Sequence, residues 1–212
     1  MSEPDEACCA IIMTDVDLKS HFRSCLDLAI AKNRVAINDA TVGYLVSLLV
    51  HFNHPENLFE TMPDRLVETP LAAMFSQATQ ARSPIQRNRA LQRLGDVALL
   101  VAGVFSGGLS RKLIDVDYFV VVGKAAYGRL SEHSRRPPQS LIFRGIFEEL
   151  SRKFLALVDV FADVAEQNRL AAPDDPLRLY EIWARTGSPR NARKLQELGY
   201  TPMRCRNSSH PH

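Results

Sequence analysis

Apolar residues along this chain recur at steps of three and four, and the residues between the apolar stretches read as helix ends. Four times a residue that caps helix N-termini directly precedes a proline: Thr69-Pro70, Ser83-Pro84, Asp175-Pro176 and Ser188-Pro189. Such a cap side chain accepts a bond from an orphan amide of the first turn, and proline at the first helical position loses no helical hydrogen bond. Pro55 closes one helix, while Gly107-Gly108, Gly187 and Gly199 stand where left-handed C-terminal caps belong. Periodicity and punctuation together predict helices at about 16–32, 39–53, 70–81, 84–106, 117–134, 140–169, 176–186 and 189–198. One-turn helices are expected near 64–68 and 109–114. Val120-Val121-Val122 is the one β-like stretch, and no turn pair follows it. The expected fold is all-α, a single globular bundle of about eight helices with a C-terminal helical hairpin.

The segment 140–169 carries the clearest pattern. Phe143, Phe147, Leu150, Phe154, Leu157, Phe161 and Val164 form a seam, and Ile146, Val158 and Ala165 widen it to the breadth of a core-facing stripe. Glu148–Arg152 and Glu149–Lys153 are acid-before-base pairs four apart, the pattern of a solvated face. Unbroken, this helix would run roughly 45 Å at 1.5 Å per residue. The helices at 84–106 and 117–134 are apolar on more than one side: Phe119, Val122, Ala126 and Leu130 line one side of the latter, and Tyr118, Val121, Ala125 and Gly128 another. Small residues on both (Gly95, Ala98, Ala102 and Gly103; Gly123, Ala125, Ala126 and Gly128) permit close approach, so the two are expected to pack as a central antiparallel pair.

The loop Leu170-Ala-Ala-Pro-Asp-Asp-Pro176 is the natural boundary, dividing a core domain at 16–170 from a hairpin at 171–203; residues 1–15 and 204–212 are expected to be disordered. The net charge of +2 excludes nothing by itself, but it is unevenly spread. From Arg178 onward seven basic residues face only Glu181 and Glu197, which leaves the first 177 residues at −3. The longest apolar runs, Val97–Phe105 and Val116–Val122, fall far short of the roughly 20 residues a membrane span needs, so no membrane partner is expected. An acidic N-terminus without a signal pattern and four cysteines without a disulfide-framework spacing point to reduced thiols and a cytoplasmic setting.

Candidate chemistry is sparse. His51 and His54 lie three apart at a helix end ahead of Glu56 and Glu60, a combination that could hold a metal; the alternative is a polar helix end where imidazoles meet the negative end of the dipole. Asp96, Asp117, Lys124 and Tyr127 are the polar residues expected to be buried in the central pair, where a carboxylate with a shifted pKa could do acid–base work or serve as a cap. Two short capped helices meet at Thr186-Gly187-Ser188 and present Arg185, Arg190, Arg193 and Lys194, with a length and turn resembling the helix-turn-helix unit in a general, architectural way. The chain has no glycine-rich phosphate loop, nucleophile elbow or paired Cys/His zinc set, so no catalytic residue is assigned and no cofactor is expected.

These features point first to a non-enzymatic, protein-binding regulatory or accessory factor, with a protein partner or a second copy of the chain on its wide apolar faces. A second reading is a nucleic-acid-binding protein using Arg185, Arg190, Arg193 and Lys194. A third is a helical metal- or cofactor-dependent enzyme using His51, His54, Glu56 and Glu60.

Overall fold

A computed structural model describes residues 15–54, 75–76, 78–81, 83–104, 116–133, 140–168 and 175–202. The principal helices among them are α1 (Asp15–Asn33), α2 (Asp39–Asn53), α3 (Pro84–Val104), α4 (Val116–His133), α5 (Ser140–Arg152), α6 (Phe154–Gln167), α7 (Pro176–Thr186) and α8 (Pro189–Glu197). No strand occurs among the described residues, and the helices pack as one bundle with the α7–α8 pair in contact. The expected termini, the start of the 70–81 helix and the one-turn helices at 64–68 and 109–114 lie outside the described residues. No helix among the described residues is long and apolar enough to cross a membrane.

Three of the four cap–proline pairs open helices as expected. The Gln86 amide donates to Ser83 Oγ at 3.2 Å, the Leu177 amide to Asp175 at 3.1 Å, and the Asn191 amide to Ser188 Oγ at 3.1 Å. At the other end of α7, Gly187 takes a left-handed conformation (φ 71°) and its amide closes onto Trp183 O at 2.8 Å. A side chain there would be strained, so the tight turn into α8 needs glycine.

α3 and α4 form the central pair, and glycines bring them together. A Cβ on Gly95 would fall 2.6 Å from the Tyr127 ring, and one on Gly123 would fall 3.0 Å from Ala98 Cβ and 2.2 Å from the Phe154 ring. Position 95 therefore faces 127 and position 98 faces 123, which fixes the pair as antiparallel. α6 reaches α3 by the same means: a Cβ on Gly103 would lie 2.4 Å from Phe161 Cβ. The second apolar side of α4 does not enter this core. Phe119, Ala126 and Leu130 are buried, but Tyr118, Val121 and Ala125 face solvent.

The expected single strut at 140–169 is instead two helices meeting at Lys153, whose backbone (φ −102°, ψ 14°) leaves the helical region. Ladder bonds persist on either side, from the Lys153 amide to Glu149 O and from the Leu157 amide to Lys153 O, so the chain bends without coming apart. No proline or glycine stands at the bend. The halves follow different neighbours, α5 lying on α4 and α6 on α3 and α1, and one straight axis does not serve both.

The bend corrects two further expectations. Phe147, Leu150, Phe154, Leu157, Phe161 and Val164 keep the seam, but Phe143 is 54 % exposed because the first turn of α5 runs past its neighbours. Glu149 is buried, not solvated. It reaches the start of α2, where Asn38 makes no side-chain cap, and accepts the Asn38 amide at 3.1 Å and the Thr41 hydroxyl at 2.6 Å. Lys153 neutralises it at 2.7 Å and also donates to Ala36 O, tying the bend to the α1–α2 turn. Burial pushes the Glu149 carboxyl up, but the Lys153 ammonium, the Thr41 hydroxyl and the Asn38 amide outweigh it, leaving the group below its ordinary range.

Glycine substitutions separate these close approaches from open helix. Gly123→Ala, which drives a methyl into the Phe154 ring and Ala98, is expected to lower stability by about 1–3 kcal/mol. Gly145→Ala, with nothing within 4 Å of its Cβ, is expected to raise it by roughly 0.5–1 kcal/mol. Urea unfolding of the two variants checks both signs.

Candidate functional site

Beyond the Glu149–Thr41 group, polar side chains inside the bundle collect at two further places. The first is at the centre. Tyr127 is fully buried on α4, with its ring packed 5.9 Å from Phe147 and 6.0 Å from Phe154. A buried phenol needs an acceptor, and Asp96, on α3 one position past Gly95, supplies it. Tyr127 Oη donates to Asp96 Oδ1 at 2.6 Å, and Tyr44 Oη from α2 donates to the same oxygen at 2.5 Å. Gln92, one turn before Asp96, donates to Tyr44 Oη at 3.2 Å. Burial pushes the Asp96 carboxyl up to about 6, against the pull of the two phenols that bond it. Both tyrosines move far above their ordinary value, chiefly through burial and then through the Asp96 charge, and so stay neutral. The cluster is a carboxyl with a raised pKa shared by two phenols, linking α2, α3 and α4.

Two of the four polar residues expected in the core, Asp96 and Tyr127, meet here. Asp117 and Lys124 do not, because both project from the solvent side of α4. Tyr44 and Gln92 complete the cluster; Gln92 lies one helical turn from Asp96, but Tyr44 is 52 positions away and no local spacing connects it.

The second place is the seam between α6 and the hairpin. Asp159, Asp163 and Glu166 line one side of α6, and all three receive α8. Ser188 Oγ donates to Asp159 at 2.6 Å, and the Arg190 amide bonds the same carboxylate at 3.4 Å. The Arg190 guanidinium spans Asp163 at 2.7 Å and Glu166 at 2.8 Å, and Lys194 bonds Glu166 at 2.9 Å. From α1, Lys32 and Asn33 reach Asp163 at 3.0 and 2.6 Å, while Arg193 donates to Asn33 at 2.8 Å. Burial raises Asp159, and the Ser188 and Arg190 bonds offset this only in part. Burial also opposes Asp163, but there Arg190, Lys32 and Asn33 prevail and hold the carboxyl below its ordinary range.

Of the candidate nucleic-acid contacts, then, Arg190, Arg193 and Lys194 are turned inward onto α6 and α1, while Arg185 is exposed on α7. The three acids that receive α8 stand at i, i+4 and i+7 on a helix otherwise almost wholly apolar, a spacing that could have marked α6 as its counterpart. A cavity of about 10 Å³, the size of one water, lies in this seam between Asp159, Ser188, Arg190 and the apolar residues Val116, Val158 and Ala162.

His51 and His54 are exposed at the end of α2, and Glu56 and Glu60 lie outside the described residues. Among the described residues no group of three or more His, Cys, Asp or Glu side chains is placed to hold a metal ion. Cys25, buried on α1, lies 3.6 Å from His21 Nε2, and that same nitrogen is 2.8 Å from Asn168 Oδ1. One ring nitrogen cannot both donate to the amide oxygen and take the thiol proton, so the trio lacks the nucleophile–base–orienter order of a catalytic relay.

The Asp96 cluster sets a pH dependence with a definite sign. A carboxyl raised from 3.8 to about 6 on folding contributes stability in full below its unfolded value, and this is lost as pH rises through about 6. Relative to Asp96→Asn, which keeps an acceptor for the phenols without the charge, the wild-type chain is expected to lose roughly 1 kcal/mol between pH 5 and pH 7.5. Urea unfolding of both proteins across that range reads the difference.

No family model matches this chain, and neither a curated protein nor a solved structure matches it.

Proposed function

We propose that the protein is a non-enzymatic accessory factor that binds another protein through the first turn of α5. One observation carries this reading. Residues 141–145 are all exposed, and the first three are Leu141 (61 %), Ile142 (65 %) and Phe143 (54 %). Successive helical residues step around the axis by about 100°, so these three present apolar surface over more than half the circumference. A helical turn apolar on that many sides is normally buried, and single exposed apolar residues elsewhere would call for no such explanation. The register of α5 against α4 sets this turn toward the end of α4.

The inner carboxylates support the non-enzymatic side of the reading. Asp96, Glu149, Asp159 and Asp163 each accept a bond from a group on another helix or its cap. The inward set of Arg190, Arg193 and Lys194 likewise speaks for a protein partner over nucleic acid, which needs cations free to meet phosphate.

The test is affinity capture from the native host with the full chain as bait. The doubly substituted Ile142→Glu/Phe143→Glu chain is expected to lose a stoichiometric partner that Leu28→Glu, an exposed apolar position on α1, retains. Capture of the same proteins by both variants contradicts the proposal. Light scattering on the purified chain shows whether the partner is a second copy.

A further inference from the structure

The hairpin and the bundle keep separate apolar cores. Leu179, Trp183 and Leu195 form a cluster of their own with Ala192, distinct from the cluster that runs through α1 to α6. Of the hairpin's apolar side chains, Ile182 packs against the main core. Among the described residues the bonds across the seam are polar: Ser188 on Asp159, Arg190 on Asp163 and Glu166, and Lys194 on Glu166. Such a seam is specific without being strong. Removing two opposite charges from water costs about as much as their attraction returns, and the net gain over an apolar joint is small or negative. The water-sized gap beside Arg190 and Asp159 is a further place where hairpin and bundle do not close on each other.

The surface under the hairpin has a definite character. Its floor is apolar, with Val116 from α4 and Val158 and Ala162 from α6; its wall is acidic, with Asp159, Asp163 and Glu166. The present occupant shows what fits: a short helix with cations in its first two turns.

From this we infer that the α7–α8 hairpin is a detachable cap, and that the groove beneath it takes a cationic amphipathic helix of a partner protein in the hairpin's place. The seam has the two properties a competitive switch requires. Its bonds are charge-selective, so a partner helix must bring arginine or lysine in the same register. Among the described residues Ile182 is its apolar contact with the main core, so a partner with a larger apolar face can displace it. This surface is separate from the α5 turn, and either can hold if the other does not.

Two measurements on the full chain test the inference. The first is native-state hydrogen exchange on the unaltered protein. The amides of α7 and α8 are expected to exchange together, at least tenfold faster than those of α3 and α6. Protection of the hairpin equal to that of α3 and α6 would overturn the cap. The second uses a labelled peptide of residues 175–200 carrying Trp183→Phe, read by fluorescence anisotropy. With the chain's own hairpin loosened by Arg190→Ala, the peptide is expected to bind at least tenfold more tightly than to the wild type. Adding Asp163→Asn/Glu166→Gln is expected to abolish the gain. Should Arg190→Ala fail to fold, Lys194→Ala loosens the same cap while leaving Asp163 paired. Equal binding to wild-type and loosened chains, no binding by a loosened chain of unchanged helicity, or binding indifferent to the two carboxylates would each overturn it.

Discussion

The approach of α3 to α4 at Gly95, Ala98 and Gly123 governs the rest of this structure. Because these positions carry at most a methyl group, the Tyr127 and Phe154 rings can lie where a larger side chain would otherwise stand. A fully buried tyrosine brings a hydroxyl with it, which is why Asp96 sits one residue from the glycine that admits the ring. Asp96 in turn takes the Tyr44 hydroxyl and so draws in α2. Helix spacing, aromatic packing and the half-buried carboxyl are thus one linked requirement. Loss of any member leaves either a void or an unpaired polar group in a place that tolerates neither.

Acidic side chains recur as fasteners between helices. Glu149 finishes the N-terminus of α2 from α5, Asp96 joins α2 to the central pair, and Asp163 joins α6 to both α1 and α8. Hydrogen-bonded charges have a narrow range of acceptable geometry, so each fixes a register that apolar packing alone would leave loose. The hairpin is held by several such fasteners, and its described apolar cluster is separate from that of the bundle. The same chemistry that makes the core rigid therefore makes the C-terminal joint the natural place for it to open.

Much of the fold could be read along the chain because its signals are local. Ser83-Pro84, Asp175-Pro176 and Ser188-Pro189 state their helix starts within three residues, and Gly187 states a helix end in one. Small residues at 95, 98 and 123 were enough to pick out the central pair. The bend at Lys153 had no such mark, since it follows from two different neighbours and not from any residue at the bend. Glu149 and Lys153 have the spacing of a solvated pair, and only the arrival of α2 makes them interior. Phe143 continues an unbroken apolar periodicity, yet a pattern cannot say where a neighbouring helix ends. At the candidate sites, Asp96 and Tyr127 stood out as polar residues in apolar helices, whereas Tyr44 arrives from another helix altogether. The basic residues of α8 were visible, but their charge alone could not tell an open surface from one facing α6; the acids at 159, 163 and 166 held that answer.

The contact between Gly95 and the Tyr127 ring, on which the central pair depends, can be observed in solution by nuclear Overhauser spectroscopy. Strong cross-peaks between the Gly95 α-protons and the Tyr127 ring protons, with those α-protons shifted upfield by the ring current, are the predicted result. Gly95 α-protons at ordinary shifts, with no cross-peak to that ring, would contradict the central pair and everything built around it.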